Sequence, residues 1–307
     1  MWQLSVILAL TLIYFGLQEL LRRCRQPVLW GLFFIAPLIL TPYWIKSNDF
    51  DPFLWIKTYS IMFCVSWGTW LRFTNAGDKS FFRRTIVWLL AANIIEALVL
   101  DILGTGIAHN LNALAGILLL ATMPWSAKRT RIDRASRDQD IRHDLPLAWI
   151  VGYTLWNWVF VYLNYPALAG HHIAVLSAAL ILACIDPQRW LQTRAATLGL
   201  NLLFMATSYQ GTLAVSDATG WFDERIAIIA ASLSFAWLVI HALTQLELAA
   251  QVDWQSVLWA HLLGRPSTRD RAARSAEVGR FFPSSDARES RVSREWHSDS
   301  LSSLFGS

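Results

Sequence analysis

Residues 93–112 read NIIEALVLDILGTGIAHNLN. Asn93, Glu96 and Asp101 lie on one apolar segment and His109, Asn110 and Asn112 on the next, with only Gly104-Thr105-Gly106 between them. The apolar residues are those of a bilayer-spanning pair of helices. The carboxylates are not, because an ionised carboxylate at the centre of a bilayer costs about 2.5–3.5 kcal/mol on insertion scales. Glu96 and Asp101 therefore need partners, water or a task. The stretch predicts an all-α, polytopic transmembrane helix bundle with polar groups inside it.

Composition agrees. Of 307 residues, 55% are hydrophobic and 16% charged, against about a quarter charged in soluble domains. Mean hydropathy is +0.38, and apolar runs of about 20 residues recur along the chain. Seventeen Trp suit headgroup anchoring and ligand stacking equally. Cys24, Cys64 and Cys184 are scattered without CxxC spacing, so neither a disulfide framework nor a zinc knuckle follows. No cofactor motif is present, and a net charge of +4 gives no reason to invoke nucleic acid.

Working outward from the opening stretch, nine spans are predicted, over 2–21, 27–45, 53–71, 85–103, 107–125, 146–164, 168–185, 190–209 and 226–247. Pro37 is an expected kink in the second. Arg22, Arg23 and Arg25 follow the first apolar run and no basic residue precedes it, the reverse of a secretory signal. The loop from Ser126 to Leu145 carries Lys128, Arg129, Arg131, Arg134, Arg137 and Arg142. Alternating the loops puts nearly all Lys and Arg on one side, which predicts amino end out and carboxyl end in, in a bacterial cytoplasmic membrane. Residues 1–248 form the bundle. Trp254, Leu258 and Leu262 make an apolar stripe for an interfacial amphipathic helix over 249–264. Residues 265–307, with eight arginines, read as a disordered cytoplasmic tail able to touch anionic lipid.

Helical spacing groups the interior polar residues. Asn93 and Glu96 share a face of the fourth span, and Tyr153 and Asn157 share one in the sixth, flanked by Trp156. Trp190, Arg194, Thr197 and Asn201 align in the eighth. Lys57 is expected to pair with Asp101. The leading expectation is a transporter or channel whose midplane cavity uses Glu96, Asn93, Tyr153, Trp156, Asn157, Arg194 and Asn201 to hold a small polar solute or a cation. Glu96 would exchange a proton. The competing class is a metal-dependent enzyme built on His109, His171 and His172. Adjacent helical residues point about 100° apart, however, and no HExxH is present, so His171 and His172 read more naturally as residues facing water. A structural or signalling role through the tail is the third.

Two strings, WIVGYTLWNWVFVYLN (149–164) and RWLQTRAATLGL (189–200), resemble an uncharacterised bacterial multi-pass family known only as a domain of unknown function, DUF5692. Trp156, Asn157, Trp190, Gln192, Arg194 and Thr197 carry the resemblance. It implies a membrane bundle that excludes the Arg-rich tail, and it brings no activity with it.

Overall fold

The computed structural model describes residues 2–262, with side chains through Glu247. Among them, helices run as α1 (Trp2–Arg23), α2 (Gln26–Ser47), α3 (Pro52–Phe73), α4 (Ser80–Leu103), α5 (Ile107–Thr122), α6 (Leu147–Asn164), α7 (Pro166–Ile185), α8 (Trp190–Thr207), α9 (Tyr209–Ser216) and α10 (Glu224–Leu262). Two short strands, β1 (Thr130–Ile132) and β2 (Ile141–His143), interrupt an otherwise all-α chain. Every predicted span has a helix beneath it. Five are long and apolar enough to cross a membrane: α1, α2, α4, α7 and α10 over Glu224–Glu247. α5 is apolar but shorter. α3 and α8 are less apolar because they carry Lys57, Arg72, Gln192 and Arg194.

Contacts divide the chain into a bundle, 1–244, and a second unit beginning at Gln245. The helix over 249–262 belongs to the second; the predicted tail, 265–307, lies outside the described residues. The outward faces of the bundle carry large apolar side chains, among them Leu4, Leu8 and Leu12 of α1, Leu38 and Ile39 of α2, Trp88 of α4 and Ile240 of α10. Water would not tolerate such a continuous apolar surface, and lipid does. The chain is a helical multi-pass membrane protein.

Local chemistry explains the helix irregularities. Pro37 lacks an N–H and its ring crowds the carbonyl four residues back, so α2 widens to a π turn over Gly31–Ile35, with Ala36 N–H reaching Gly31 O. Asp51 caps α3 by accepting from Leu54 N at 2.8 Å, with Pro52 in the first helical position. α7 threads the interior, packing against α1, α6 and α8. Its buried Ala169, Gly170, Ala174, Ala178, Ala179 and Ala183 let those helices approach closely, as apolar solvent gives no other drive for association. The largest core cluster centres on Trp149, Tyr153, Trp156 and Trp190, all fully buried.

The loop read as merely basic is a folded hairpin. β1 and β2 pair antiparallel, which sets Arg131 opposite Arg142. Like charges facing across a pair repel, and here each has acidic company: Arg131 lies 3.6 Å from Asp144, and Arg142 reaches Asp133 and Asp186, each at 3.1 Å. At the hairpin's turn the fully buried Asp140 takes both oxygens to Arg22 Nε, at 3.1 and 3.0 Å, and accepts from Gln192 Nε2 at 3.0 Å. Arg22 also meets Asp138 at 2.8 Å, and Arg189 bridges to Glu19. Arg72 donates to the carbonyls of Arg22 and Asp138, each at 2.7 Å. The hairpin is thereby bolted to α1, α3 and α8.

His143 supplies a readout of this hairpin. It is fully buried, shares a 2.8 Å hydrogen bond with Thr130 Oγ1, and lies near Asp144 and Arg129. Burial, helped by Arg129 and opposed by Asp144, pushes its pKa from the ordinary 6.5 down to about 4. The unfolded loop binds the proton at the higher pH. The hairpin's full stability is therefore present above pH 6.5 and is lost as pH falls toward 4, by about 3 kcal/mol in all. The protection factors of amides over 127–145, with the intrinsic rate's own fall on acidification divided out, should drop between pH 6.5 and 5, above the range where carboxylates titrate. His143→Gln should flatten that dependence. Protection factors that stay constant or rise on acidification would contradict the assignment.

Candidate functional site

Three polar groupings lie within the bundle. The first is built by the opening stretch. Asp101, fully buried, accepts from Asn112 Nδ2 at 2.6 Å and from Asn164 Nδ2 at 3.1 Å, and His109 Nδ1 stands 3.3 Å from its Oδ1. The turn between α4 and α5 makes this possible. Gly106 adopts φ +101, and a Cβ on Gly104 would collide with the His109 ring. Both positions need glycine, one for its backbone and one for space.

The second grouping corrects the expected pairing of Lys57 with Asp101. Lys57 Nζ instead lies 2.8 Å from Glu96 Oε2 and 2.7 Å from Asn93 Oδ1, with Ser60 Oγ 3.3 Å from the same carboxylate. Glu96 and Asp101 are five residues apart. That is about 140° around a helix and 7.5 Å along it, so one ammonium cannot serve both. Asn93 Nδ2 continues to Tyr153 OH at 3.2 Å.

The third surrounds Arg194, whose side chain is 3% exposed. Its Nη2 donates to Asn157 Oδ1 at 2.8 Å, and its Cζ stands 5.9 Å from the Tyr153 ring centre. His172 Nε2 shares Asn157 Oδ1 at 2.7 Å. His171 turns elsewhere, with Nε2 2.8 Å from Tyr14 OH and Nδ1 3.1 Å from Ser216 Oγ; Tyr14 OH donates on to Asn201 Oδ1 at 3.3 Å.

Two cavities flank this third grouping. One, of about 110 Å³, extends to the hairpin and is lined by Gln18, Arg22, Arg72, Ile141, Gln192 and Tyr153 among others. The other, of about 60 Å³, lies beyond Arg194 and is lined by Lys57, Phe53, Asn157, His171, His172 and Asn201 among others. Asn93, Arg194 and Leu198 line both. A water needs about 10–15 Å³ by the same kind of measure, so each holds several waters or a solute of a few heavy atoms.

Of the predicted binding residues, Asn93, Tyr153, Asn157, Arg194 and Asn201 line a cavity. Glu96 and Trp156 do not. Glu96 is held on Lys57, and Trp156 is a core side chain whose Nε1 donates to Asn112 O at 3.0 Å. The metal reading fails on geometry, because His109, His171 and His172 take separate partners. Among the described residues no three His, Cys, Asp or Glu side chains gather around a metal position. Nor do His171 and His172 face water, since both are buried. Their place on the 60 Å³ cavity was missed, as was that of Lys57, and Tyr14 and Gln192 were not among the predicted binding residues. The Arg194-Asn201 spacing pointed to that side of α8 but not to what would meet it.

A model of a family of unknown function, DUF5692, matches residues 1–254. The chain belongs to this family. The DUF5692 match spans the bundle and ends short of the Arg-rich tail. No curated protein and no solved structure matches the chain.

In this DUF5692 bundle the Lys57–Glu96 pair can be tested by a double-mutant cycle. Glu96→Gln leaves a buried ammonium without its counter-charge and should cost about 3 kcal/mol. Adding Lys57→Met should restore much of it. Unfolding in detergent measures both, and strictly additive losses would contradict the pairing.

Proposed function

We propose that this protein is a nine-span transporter or channel of the bacterial cytoplasmic membrane, amino end out and carboxyl end in. It would pass a small polar solute or ion through the polar centre of the bundle. The observation that carries the reading is the pair of cavities that meet at Asn93, Arg194 and Leu198. One lies toward the basic hairpin and one away from it. A bundle held together by packing alone has no use for voids on both sides of one buried arginine, because each buried polar group costs free energy unless something satisfies it.

The Lys/Arg bias supports the hairpin end as cytoplasmic. On that orientation the cavity lined by Ile141 is the inner one and the cavity lined by Phe53 the outer one. Asn93, Arg194 and Leu198 form the barrier a solute would cross. Glu96 serves this path by holding Lys57 in place; the proton-exchange role expected for it loses support, because it lines neither cavity. The tail and the helix before it would act at the inner interface, with anionic lipid as their partner.

Sided thiol labelling tests both orientation and path. With Cys24, Cys64 and Cys184 replaced by serine, Ala196→Cys should react with a membrane-impermeant reagent applied from the cytoplasmic side, and Phe53→Cys from outside. An Arg137→Cys reporter on the hairpin should react only from inside. Labelling of positions 53 and 196 from one common side would overturn the path, and a hairpin labelled from outside would overturn the orientation.

A further inference from the structure

Among the described residues, the ionisable groups of the bundle interior sort into clusters, and Arg194 stands apart from them. Lys57 faces Glu96. At the hairpin end, Arg22 and Arg189 face Glu19, Asp138 and Asp140, with Arg72 beside them. Asp101 faces His109 in a separate cluster and lines neither cavity. Among the described residues, buried Arg72 has no carboxylate within ion-pair distance, but it donates to two backbone carbonyls and lies in the field of Asp138 and Asp140. Arg194 has no carboxylate within ion-pair distance among them either.

Its hydrogen bonding is incomplete as well. Only Nη2 has an acceptor; Nε and Nη1 are buried and without partners. A guanidinium has five N–H donors and cannot shed its proton, so both charge and donors must be met from outside the side chain. The Tyr153 ring face compensates part of the charge. Waters in the cavities would satisfy donors and leave the charge uncompensated.

The linings point to one kind of occupant. Neither cavity has an Asp or Glu among its lining residues, while Lys57, Arg22, Arg72 and Arg194 supply cationic groups and Asn93, Asn157, Asn201 and Gln192 supply amide donors. Arg194 with no carboxylate beside it repels a cation, contrary to the cation expected from the aromatic residues and Glu96. We infer that Arg194 is the binding site for a small monovalent oxyanion of the carboxylate class, held in the 60 Å³ cavity between Arg194, Lys57 and the Asn157 and Asn201 amides. Of the two Lys and Arg side chains lining this cavity, Lys57 is matched by Glu96 and Arg194 is not, which sets the valence, and the cavity volume limits the ligand to a few heavy atoms. The inference rests on the transport reading for its cavity and names the class of solute.

The test is anion-dependent thermal stability of the purified full chain. Protein in detergent is exchanged into a buffer whose only anion is too bulky for the cavity, and choline acetate or choline formate is titrated in. Wild type should show a saturable rise in melting temperature. Arg194→Gln should need at least tenfold more acetate for half the shift, and Arg194→Lys should respond at intermediate concentrations. A wild type with no saturable response, or an Arg194→Gln protein responding as wild type does, overturns the inference. Should Arg194→Gln not fold, acetate protection of Phe53→Cys from labelling in wild-type background replaces it, and lack of protection is the negative. A second arm adds an anionic phospholipid in place of acetate. Stabilisation by the lipid alone would assign the site to a headgroup and overturn the free-anion inference. Sided labelling that succeeds while acetate has no effect leaves the path standing and removes only the anion.

Discussion

A charge that cannot reach water must meet an opposite charge nearby, and the bundle interior is arranged around that requirement. Lys57 and Glu96 tie α3 to α4 through a 2.8 Å contact. Asp140 and Arg22 tie the hairpin to α1. Asp101 gathers His109, Asn112 and Asn164 from α5 and α6. Lipid provides no hydrophobic drive between helices, so these contacts, with the small residues of α7, specify which helix meets which. At Arg194, which lines both cavities, no carboxylate completes the rule among the described residues.

The hairpin gives the hairpin-side cavity its end wall. Ile141 lines that cavity while its backbone N–H donates to Gln192 Oε1 at 2.7 Å, and Gln192 in turn donates to Asp140. Gln192 and Arg194 stand two residues apart on α8. Any movement of α8 that shifts Arg194 therefore also loads the hairpin's attachment. This links the buried cationic centre to the folded loop through one rigid helix.

Much of this was legible in the chain and some was not. Apolar run length located the helices, and the i, i+3, i+4 spacing grouped Arg194 and Asn201 on one side of α8, which with Asn157 lines one cavity. Which charges pair was not legible, because that depends on the relative depth and rotation of helices distant in sequence. Lys57 could be assigned to Asp101 or Glu96 by depth alone, and only packing chose Glu96. His171 and His172, adjacent on one helix, diverge, one toward Tyr14 and one toward Asn157, because successive helical residues point about 100° apart. The hairpin was hidden for another reason. Its strands are three residues each, and its acidic residues, which counting Lys and Arg for orientation ignores, are what fold it.

The central claim is that Arg194 is held without a protein counter-charge. The most direct measurement is the unfolding free energy of Arg194→Met beside wild type, both in buffer free of small anions. Removing an uncompensated buried charge while keeping apolar volume predicts a variant at least as stable as wild type. A loss of about 3 kcal/mol or more, the usual cost of breaking a satisfied buried ion pair, would contradict the account and mean that the chain itself supplies a partner for Arg194.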